Sequence, residues 1–566
     1  MVGTRSQKIG GHKIKMNFSL KKIILIVILV LSAVLRLYSL DEFPSGLNAD
    51  EAAIGYNAYS LLRTGRDEHG NAWPIVFKSF GDYKPGGYFY LVVPLVKIIG
   101  LNILAVRLPS ALLGVLSVWL IYVLAGEVAV LSFGKSDKRY QLLTALLLAI
   151  SPWHIHFSRG GWETNAGTTM LLAGVVFFLK GLNRRMFLLS SVIFFVFSMY
   201  IYQSTRLIAP VLGLGLVLIF FKQVWPPRRE FWLSTALGFL LLLPLIGVVF
   251  SPGGLSRFSG VGLTADTGPI WRVNELRGQH GNADSLVVKI LHNKVMAYAG
   301  LFARNYLEHF SGNFLFISGD VIPRNRVPEM GQMYLIEIPI LLLGVYVLVK
   351  KGGRGTALVF YWLAVSPLAA ALTFQTPHAL RAQNMVIPLV LVTAAGFTLL
   401  VKKLTAVRLN FPLLYGLIAG GIALSYGWSV SYYLNQYYIH YPKVYPDAWE
   451  YGFEQVARKV GPLLPFYNRV IMTDTYDQPY IEMLFFLKYP PAVFQKEVVL
   501  SLRDKYGFST VKSFGKFDFA PIIWEEVSQI PGTLVIGTPK EIPSNAQIID
   551  RVVFPSGEVA FEFASI

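Results

Sequence analysis

From residue 23 to residue 430 the chain repeats one pattern, long apolar runs separated by short polar connections. An α-helix needs about 17 to 25 mostly apolar residues to cross the hydrocarbon of a bilayer. In lipid every backbone N–H and C=O must be satisfied inside the protein, and runs of this length without barrel-like alternation leave the helix as the structure open to them. Composition agrees: 54% of residues are hydrophobic and 15% charged, against about 45–50% and about 25% in a soluble domain. Disorder and a soluble multidomain enzyme are excluded on that ground. The absence of cysteine excludes a disulfide framework, a thiol nucleophile and a zinc–thiolate site.

Residues 1–22 hold six Lys/Arg and no acid, and the apolar run 23–35 lacks a small-residue cleavage site after it. This predicts an uncleaved first helix with its amino end in the cytoplasm. Ten later spans are expected near 107–131, 140–157, 166–182, 186–203, 206–222, 231–250, 334–350, 355–374, 381–402 and 411–430, making about eleven. Alternate connections at 135–139, 180–185, 222–229, 350–354 and 402–408 each carry three Lys/Arg, whereas 158–165, 203–205 and 375–380 are nearly free of them. Cytoplasmic loops are the Lys/Arg-rich ones, so residues 40–106, 251–333 and 431–566 are expected outside. A crossing at 88–104 would reverse every later loop, so that stretch is expected as a juxtamembrane or re-entrant helix on the outer face.

The net charge of +18 divides unevenly. Residues 431–566 carry 12 Lys/Arg and 15 Asp/Glu, leaving 39 and 18 for the rest. The excess therefore belongs to the membrane part and sets orientation, and no nucleic-acid partner is implied. From about residue 435 the pattern turns mixed polar, with helix-like 448–460 and 479–487 and β-like 469–473, 533–537 and 547–554. The expected fold is an α-helical polytopic membrane protein with a C-terminal extracytoplasmic α/β domain: a basic amino terminus over 1–22, the membrane domain over 23–430, and the outer domain over 431–566.

The first outer loop is the most informative. Asn48 and Glu51 have the spacing of a capping box and Gly65 suits a helix stop, which predicts a helix over about 49–63. Capping accounts for Glu51; Asp50, in the same turn, points to another face and is free for chemistry. Then come Asp82-Tyr83-Lys84-Pro85-Gly86-Gly87-Tyr88, the Arg107-Leu108-Pro109 segment, Arg159 just before Glu163, Arg206 at the start of a span, Leu315 to Asp320, and Pro377-His378-Ala379-Leu380-Arg381. Taken singly each cation is an interface anchor; several on one outer face make an anion site. Gly134-Lys135-Ser136 lacks the first glycine of a P-loop, position 129 being alanine, and belongs to a basic loop. His154 and His156 diverge on a helix and read as core rather than metal ligands.

Together the Asp50-Glu51 loop, Lys84-Pro85, Arg107-Leu108-Pro109, the Glu163 region, Leu315 to Asp320 and Pro377-His378-x-x-Arg381 resemble the GT-C glycosyltransferases that use polyprenyl-phosphate sugars, protein O-mannosyltransferases and lipid A aminoarabinose transferases above all. The resemblance covers residues 23–430 in layout. It implies a transferase in the plasma membrane with its site on the extracytoplasmic side, with Asp50 serving the acceptor, Lys84 and arginines facing the lipid phosphate, and Glu51 and Glu163 as further catalytic carboxylates. Tyr83, Tyr88, Arg107, Arg159, Arg206, His378 and Arg381 are the remaining substrate-binding candidates. The chain departs from the usual pattern with Lys-Pro-Gly in place of Lys-Pro-Pro, and with Glu163 where Asp is commoner.

The chemistry points the same way. A polyprenyl phosphate leaving group needs cationic stabilisation rather than a general acid, and the acceptor needs a carboxylate to take its proton. A single displacement inverts the anomeric centre. The expected partners are a polyprenyl-phosphate-linked sugar, an extracytoplasmic acceptor and the bilayer. The residues imply no definite cofactor, a divalent metal oriented by Glu163 being an open alternative. A lipid-linked-sugar transporter and an oligosaccharide ligase or polymerase are the rival classes; the outer-loop acids and the absence of repeated halves favour the enzyme.

Overall fold

The computed structural model describes residues 18–80, 82–225, 228–249, 262–410, 412–501 and 510–566. Most of the basic amino terminus and the first part of the expected outer loop 251–333 lie outside the described residues. Helix α1 (Phe18–Leu37) is followed by α2 (Ala49–Thr64), a hairpin of β1 (Val76–Ser79) and β2 (Asp82–Pro85), and α3 (Gly87–Ile99). Then come α4 (Ile103–Phe133), α5 (Lys138–Ile150), α6 (Pro152–Arg159), α7 (Glu163–Gly181), α8 (Phe187–Ile201) and α9 (Thr205–Ile219). Helices over Arg228–Val249, Lys294–Glu308, Glu337–Lys351, Gly353–Val365, Val386–Asn410 and Pro412–Asn435 complete the bundle.

Every expected span carries helix, but proline and loop chemistry shorten several of them. The 140–157 run breaks into α5 and α6 at Ser151-Pro152, where proline can open a helix but not continue one and Ser151 Oγ accepts from the His154 N–H. The 355–374 run breaks at Ser366-Pro367, where Ser366 Oγ donates back to the Trp362 carbonyl. By length and composition five helical stretches among the described residues suffice to cross a membrane: Ile103–Phe133, Arg229–Val248, Leu286–Ile317, Gln383–Thr405 and Pro412–Val444. The third was assigned from loop charge to an outer loop. Helix α3, 13 residues long, covers only about 20 Å at 1.5 Å per residue, short of a crossing.

Helices Glu337–Lys351 and Val386–Asn410 touch through glycines. A Cβ at Gly344 would lie 1.9 Å from the Val392 carbonyl oxygen, and one at Gly396 would lie 2.0 Å from that of Ile340. Small residues let backbones approach where no hydrophobic force drives helices together. Gly396→Ala should therefore lower the thermal midpoint in detergent, the overpacking costing about 1–3 kcal/mol. Gly213→Ala on α9, where a Cβ meets nothing within 4 Å, is the control and should shift it little.

The chain after Asn435 builds a seven-stranded sheet in the order β4-β5-β6-β3-β7-β9-β8. Here β3 is Arg469–Met472, β4 Val499–Leu500, β5 Val511–Phe514, β6 Phe517–Phe519, β7 Thr533–Gly537, β8 Ile548–Val553 and β9 Val559–Ser565. Strand β3 is central and parallel to both neighbours, β6 and β7; the outer pairs are antiparallel. The helix Pro479–Phe486 that leaves β3 packs on α2. Tyr56 Oη donates to the Tyr489 carbonyl at 3.1 Å and Gln495 Nε2 to that of Asp67 at 2.8 Å, so the α/β unit grips the helix that starts at Ala49.

Candidate functional site

The loop that delivers Asp50 is held by two buried arginines rather than by secondary structure. Arg159 donates to the carbonyls of Leu35, Tyr38, Ser39 and Phe43 at 2.7–3.2 Å, and Arg107 to those of Leu40, Pro44 and Gly46 at 2.5–3.2 Å. Buried carbonyls without a sheet or helix partner need such donors, and a guanidinium fork serves several at once. Arg159 also lies over the rings of Tyr437 and Tyr438.

Helix α2 then starts as expected. Asn48 Oδ1 accepts from the backbone N–H of Asp50 and Glu51, Glu51 Oε2 accepts from Asn48 N, and Gly65 closes the helix with φ of +69°. Glu51 goes further than capping. Its carboxylate also accepts from Arg107 Nε at 2.9 Å, Arg107 Nη2 at 3.0 Å and Gly161 N at 2.6 Å, with both side chains wholly enclosed. That pair fastens α2 to α4 and to the turn before α7.

Asp50 faces the other way, into a cavity of about 210 Å³. Six parts of the chain build its wall. Asp50 comes from α2 and Lys84-Pro85 from β2, and the Lys84 ammonium donates to Asp50 Oδ1. Trp162 and Glu163 come from the start of α7, and Tyr202 and Gln203 from the turn before α9. The segment around Pro323 adds Ile322, Arg324 and Asn325; the loop before Gln383 adds Gln375, His378, Leu380 and Arg381. Two carboxylates, three permanent cations and two aromatic rings thus surround one space.

The wall around Asp320 and His378 is itself fixed by hydrogen bonds. Asp320 Oδ2 accepts from the Ala379 N–H at 2.5 Å and from Asn325 Nδ2 at 3.1 Å, and the His378 N–H donates to His309 Nε2 at 3.1 Å. Burial pushes the Asp320 carboxyl up, against those donors. Burial, with Arg381, His309 and Arg324 nearby, holds the His378 imidazole well below its ordinary value. His378 is therefore neutral at physiological pH and adds no charge to the cavity. Arg381 Nη1 donates to Thr373 Oγ1 at 2.7 Å.

Of the residues singled out in the sequence, Asp50, Glu163, Lys84, His378 and Arg381 line this cavity; Glu51, Tyr83, Tyr88, Arg107, Arg159 and Arg206 do not. Tyr88 is buried, donating to the Val106 carbonyl and accepting from Ser110 N, and Arg206 Nε donates to the Met199 carbonyl. Tyr83 sits on β2, paired in register with Lys78. Arg324 was not singled out. It lies in a 3₁₀ turn, Pro323–Asn325, and its backbone carbonyl accepts from His156 Nε2 and Tyr441 Oη. It follows Asp320 by four residues, with Arg326 close behind, and no motif sets it apart in the sequence. Among the described residues no three His, Asp or Glu side chains converge as a metal-ligand set.

A second cavity, of about 280 Å³, opens between α5 and the helices Val386–Asn410 and Pro412–Asn435. Its wall holds neither an acid nor a base.

Residues 83–248 match the family model for dolichyl-phosphate-mannose-protein mannosyltransferase, under a third of the chain. That segment includes Lys84, Arg107, Glu163 and Arg206 but not Asp50. No curated protein matches the sequence. Among solved structures, ArnT from Cupriavidus metallidurans in the apo state is similar over 96% of this chain and 97% of its own, at 12% identity and a TM-score of 0.53. The same protein bound to undecaprenyl phosphate gives 11% identity and 0.51 with the same coverage. The archaeal oligosaccharyltransferase AglB from Archaeoglobus fulgidus, in complex with an inhibitory peptide and a dolichol-phosphate, is similar over 82% of this chain at 15% identity and a TM-score of 0.50. The chain spans 63% of that protein's length. The chain thus shares its fold with ArnT and AglB.

Proposed function

We propose that the chain is an integral membrane glycosyltransferase that moves a sugar from a polyprenyl-phosphate donor to an acceptor outside the cytoplasmic membrane, a protein, a lipid or a glycan. One observation carries this: a single cavity gathers Asp50 and Glu163 with Lys84, Arg324 and Arg381. Carboxylates for an acceptor and cations for a phosphate are the two charges the reaction needs. The Lys/Arg-rich alternate loops support an extracytoplasmic position for the cavity and about eleven crossings.

Asp50 is the base. The acceptor's oxygen or nitrogen attacks the anomeric carbon, the carbon–oxygen bond to phosphate breaks, the proton passes to Asp50, and the configuration inverts. Lys84, paired with Asp50, turns to the phosphate when the donor enters, which leaves Asp50 free to take the proton. Arg324 and Arg381 share the phosphate charge, and Trp162 and Tyr202 give the sugar ring an apolar face. Glu163 orients the acceptor. A divalent ion, if the enzyme uses one, would be held by Asp50 and Glu163 with the donor phosphate, in place of Lys84. Glu51, Arg107 and Arg159 position the Asp50 loop without touching substrate.

Lys84→Ala should weaken donor binding about tenfold or more, since a charge-assisted hydrogen bond is worth about 1.5–3 kcal/mol. Titration with undecaprenyl phosphate measures it directly. The function itself is tested by giving purified protein a polyprenyl-phosphate monosaccharide or a polyprenyl-pyrophosphate oligosaccharide with an envelope acceptor extract. Consumption of the first alone supports the proposal. Consumption of the second alone makes the chain a ligase or polymerase, and transport of either across liposomes without a glycosylated product makes it a transporter.

A further inference from the structure

Two glutamates lie behind Arg324 in positions where neither can be solvated. Glu450 is 4% exposed and Glu482, on the helix Pro479–Phe486 of the α/β unit, is fully buried. Neither Glu482 oxygen has a hydrogen-bond donor, nor does Glu450 Oε2, apart from the other carboxyl. Glu450 Oε1 lies 3.7 Å from Arg324 Nη1. Glu450 also takes φ of +52°, the left-handed region that an L-residue occupies at a cost, just after the 3₁₀ turn Asp447–Trp449. The backbone is held in that region while the side chain points toward the arginine.

Two buried carboxylates without donors cannot both be ionised at contact distance; one must carry a proton and give it to the other. Glu482, with both oxygens otherwise unmet, is the acid, and Glu450, facing the guanidinium, is the carboxylate. We infer that Glu450 and Glu482 share a single proton and together position Arg324 in the cavity wall, so that the α/β domain sets a cation used by the lipid phosphate. Glu450 and Glu482 are positioning residues, and the inference rests on the donor-phosphate reading of the cavity.

The other charges around the pair are Arg324, Asp477 and Asp50 beside Glu450, and Glu51 and Asp477 beside Glu482. Glu51 is neutralised by Arg107. Burial raises both carboxyls above the ordinary glutamate value, and the Arg324 guanidinium draws Glu450 back down. A group raised in the folded state contributes stability that is whole below its unfolded value and lost as pH climbs through the folded one. The shared proton is therefore lost only as pH rises well above the ordinary glutamate range, and two carboxylates then face each other.

The test uses the full chain in detergent or liposomes with polyprenyl-phosphate sugar as donor. Glu450→Gln should raise the donor KM about tenfold with kcat within about twofold, and Glu450→Asp should recover part of the loss. Glu482→Gln keeps a hydrogen-bond donor to Glu450 and should match wild type at pH 7, but it should lack the alkaline decline in donor affinity. An unchanged donor KM in Glu450→Gln, or the same alkaline decline in Glu482→Gln, overturns the inference. The thermal midpoint against pH reads the same titration without any turnover: wild type should fall as pH climbs from the ordinary glutamate range toward the raised value, and Glu482→Gln should fall less. Failure of the glycosyltransferase proposal, seen as no transfer by wild type, is thus distinguishable from failure of the shared-proton pair.

Discussion

Asp50→Asn should leave a folded protein that binds polyprenyl-phosphate donor but transfers sugar about 10³-fold more slowly, within the 10²–10⁴ range that a positioned general base contributes. The substitution keeps the shape of the side chain and its place beside Asn48 and Lys84, and removes only the site that takes the proton. Donor affinity should hold or improve, because Lys84 no longer has a carboxylate to leave when the phosphate enters. Glu163→Gln is the companion measurement. If Glu163 orients the acceptor, its loss raises the acceptor KM more than it slows the step, while Asp50→Asn does the reverse. Near-normal turnover in Asp50→Asn would move the base to another residue.

The second large effect is on folding. Glu51→Ala should leave Arg107 charged in a site with no exposure, and Arg107→Ala should leave Glu51 likewise. Breaking such a pair from one side costs about 3–5 kcal/mol, because the remaining charge stays buried. Both variants should be recovered in low yield or as aggregate. Arg107→Ala should be the worse, since it also strips donors from the carbonyls of Leu40, Pro44 and Gly46. Arg107→Lys should not rescue, because an ammonium cannot reach Glu51 and three carbonyls with the geometry of a guanidinium fork. Size-exclusion profiles after identical extraction separate these outcomes from a catalytic role, in which a monodisperse but inactive protein is recovered.

What the chain discloses by itself is what short-range chemistry decides. The Asn48–Glu51 capping box and the Gly65 stop lie within one helix, and α2 starts at its expected residue and ends one residue beyond its expected place. Strand β7 coincides with the expected 533–537 run because five apolar or small residues sit between turn signals. Strand β9 was missed for the opposite reason: its five central residues are buried without interruption, as in a strand covered on both faces, so the alternation that marks a half-exposed strand is lacking.

Partnership over distance was the illegible part. Arg107 and Arg159 look like phosphate ligands in the sequence, as any outer arginine does, and only folding turns them onto Glu51 and onto loop carbonyls. Arg324 reaches the cavity because its backbone is anchored by His156 and Tyr441, 168 and 117 residues away in the chain. Glu450 and Glu482 carry no motif at all. Their meaning comes from being enclosed together.

The most direct measurement is a structure of the protein in a lipid nanodisc with undecaprenyl phosphate. Phosphate density between Lys84, Arg324 and Arg381, with Asp50 released from Lys84 and facing the space next to it, is the result predicted here. Phosphate bound elsewhere, with the Asp50–Lys84 pair unbroken, would contradict it.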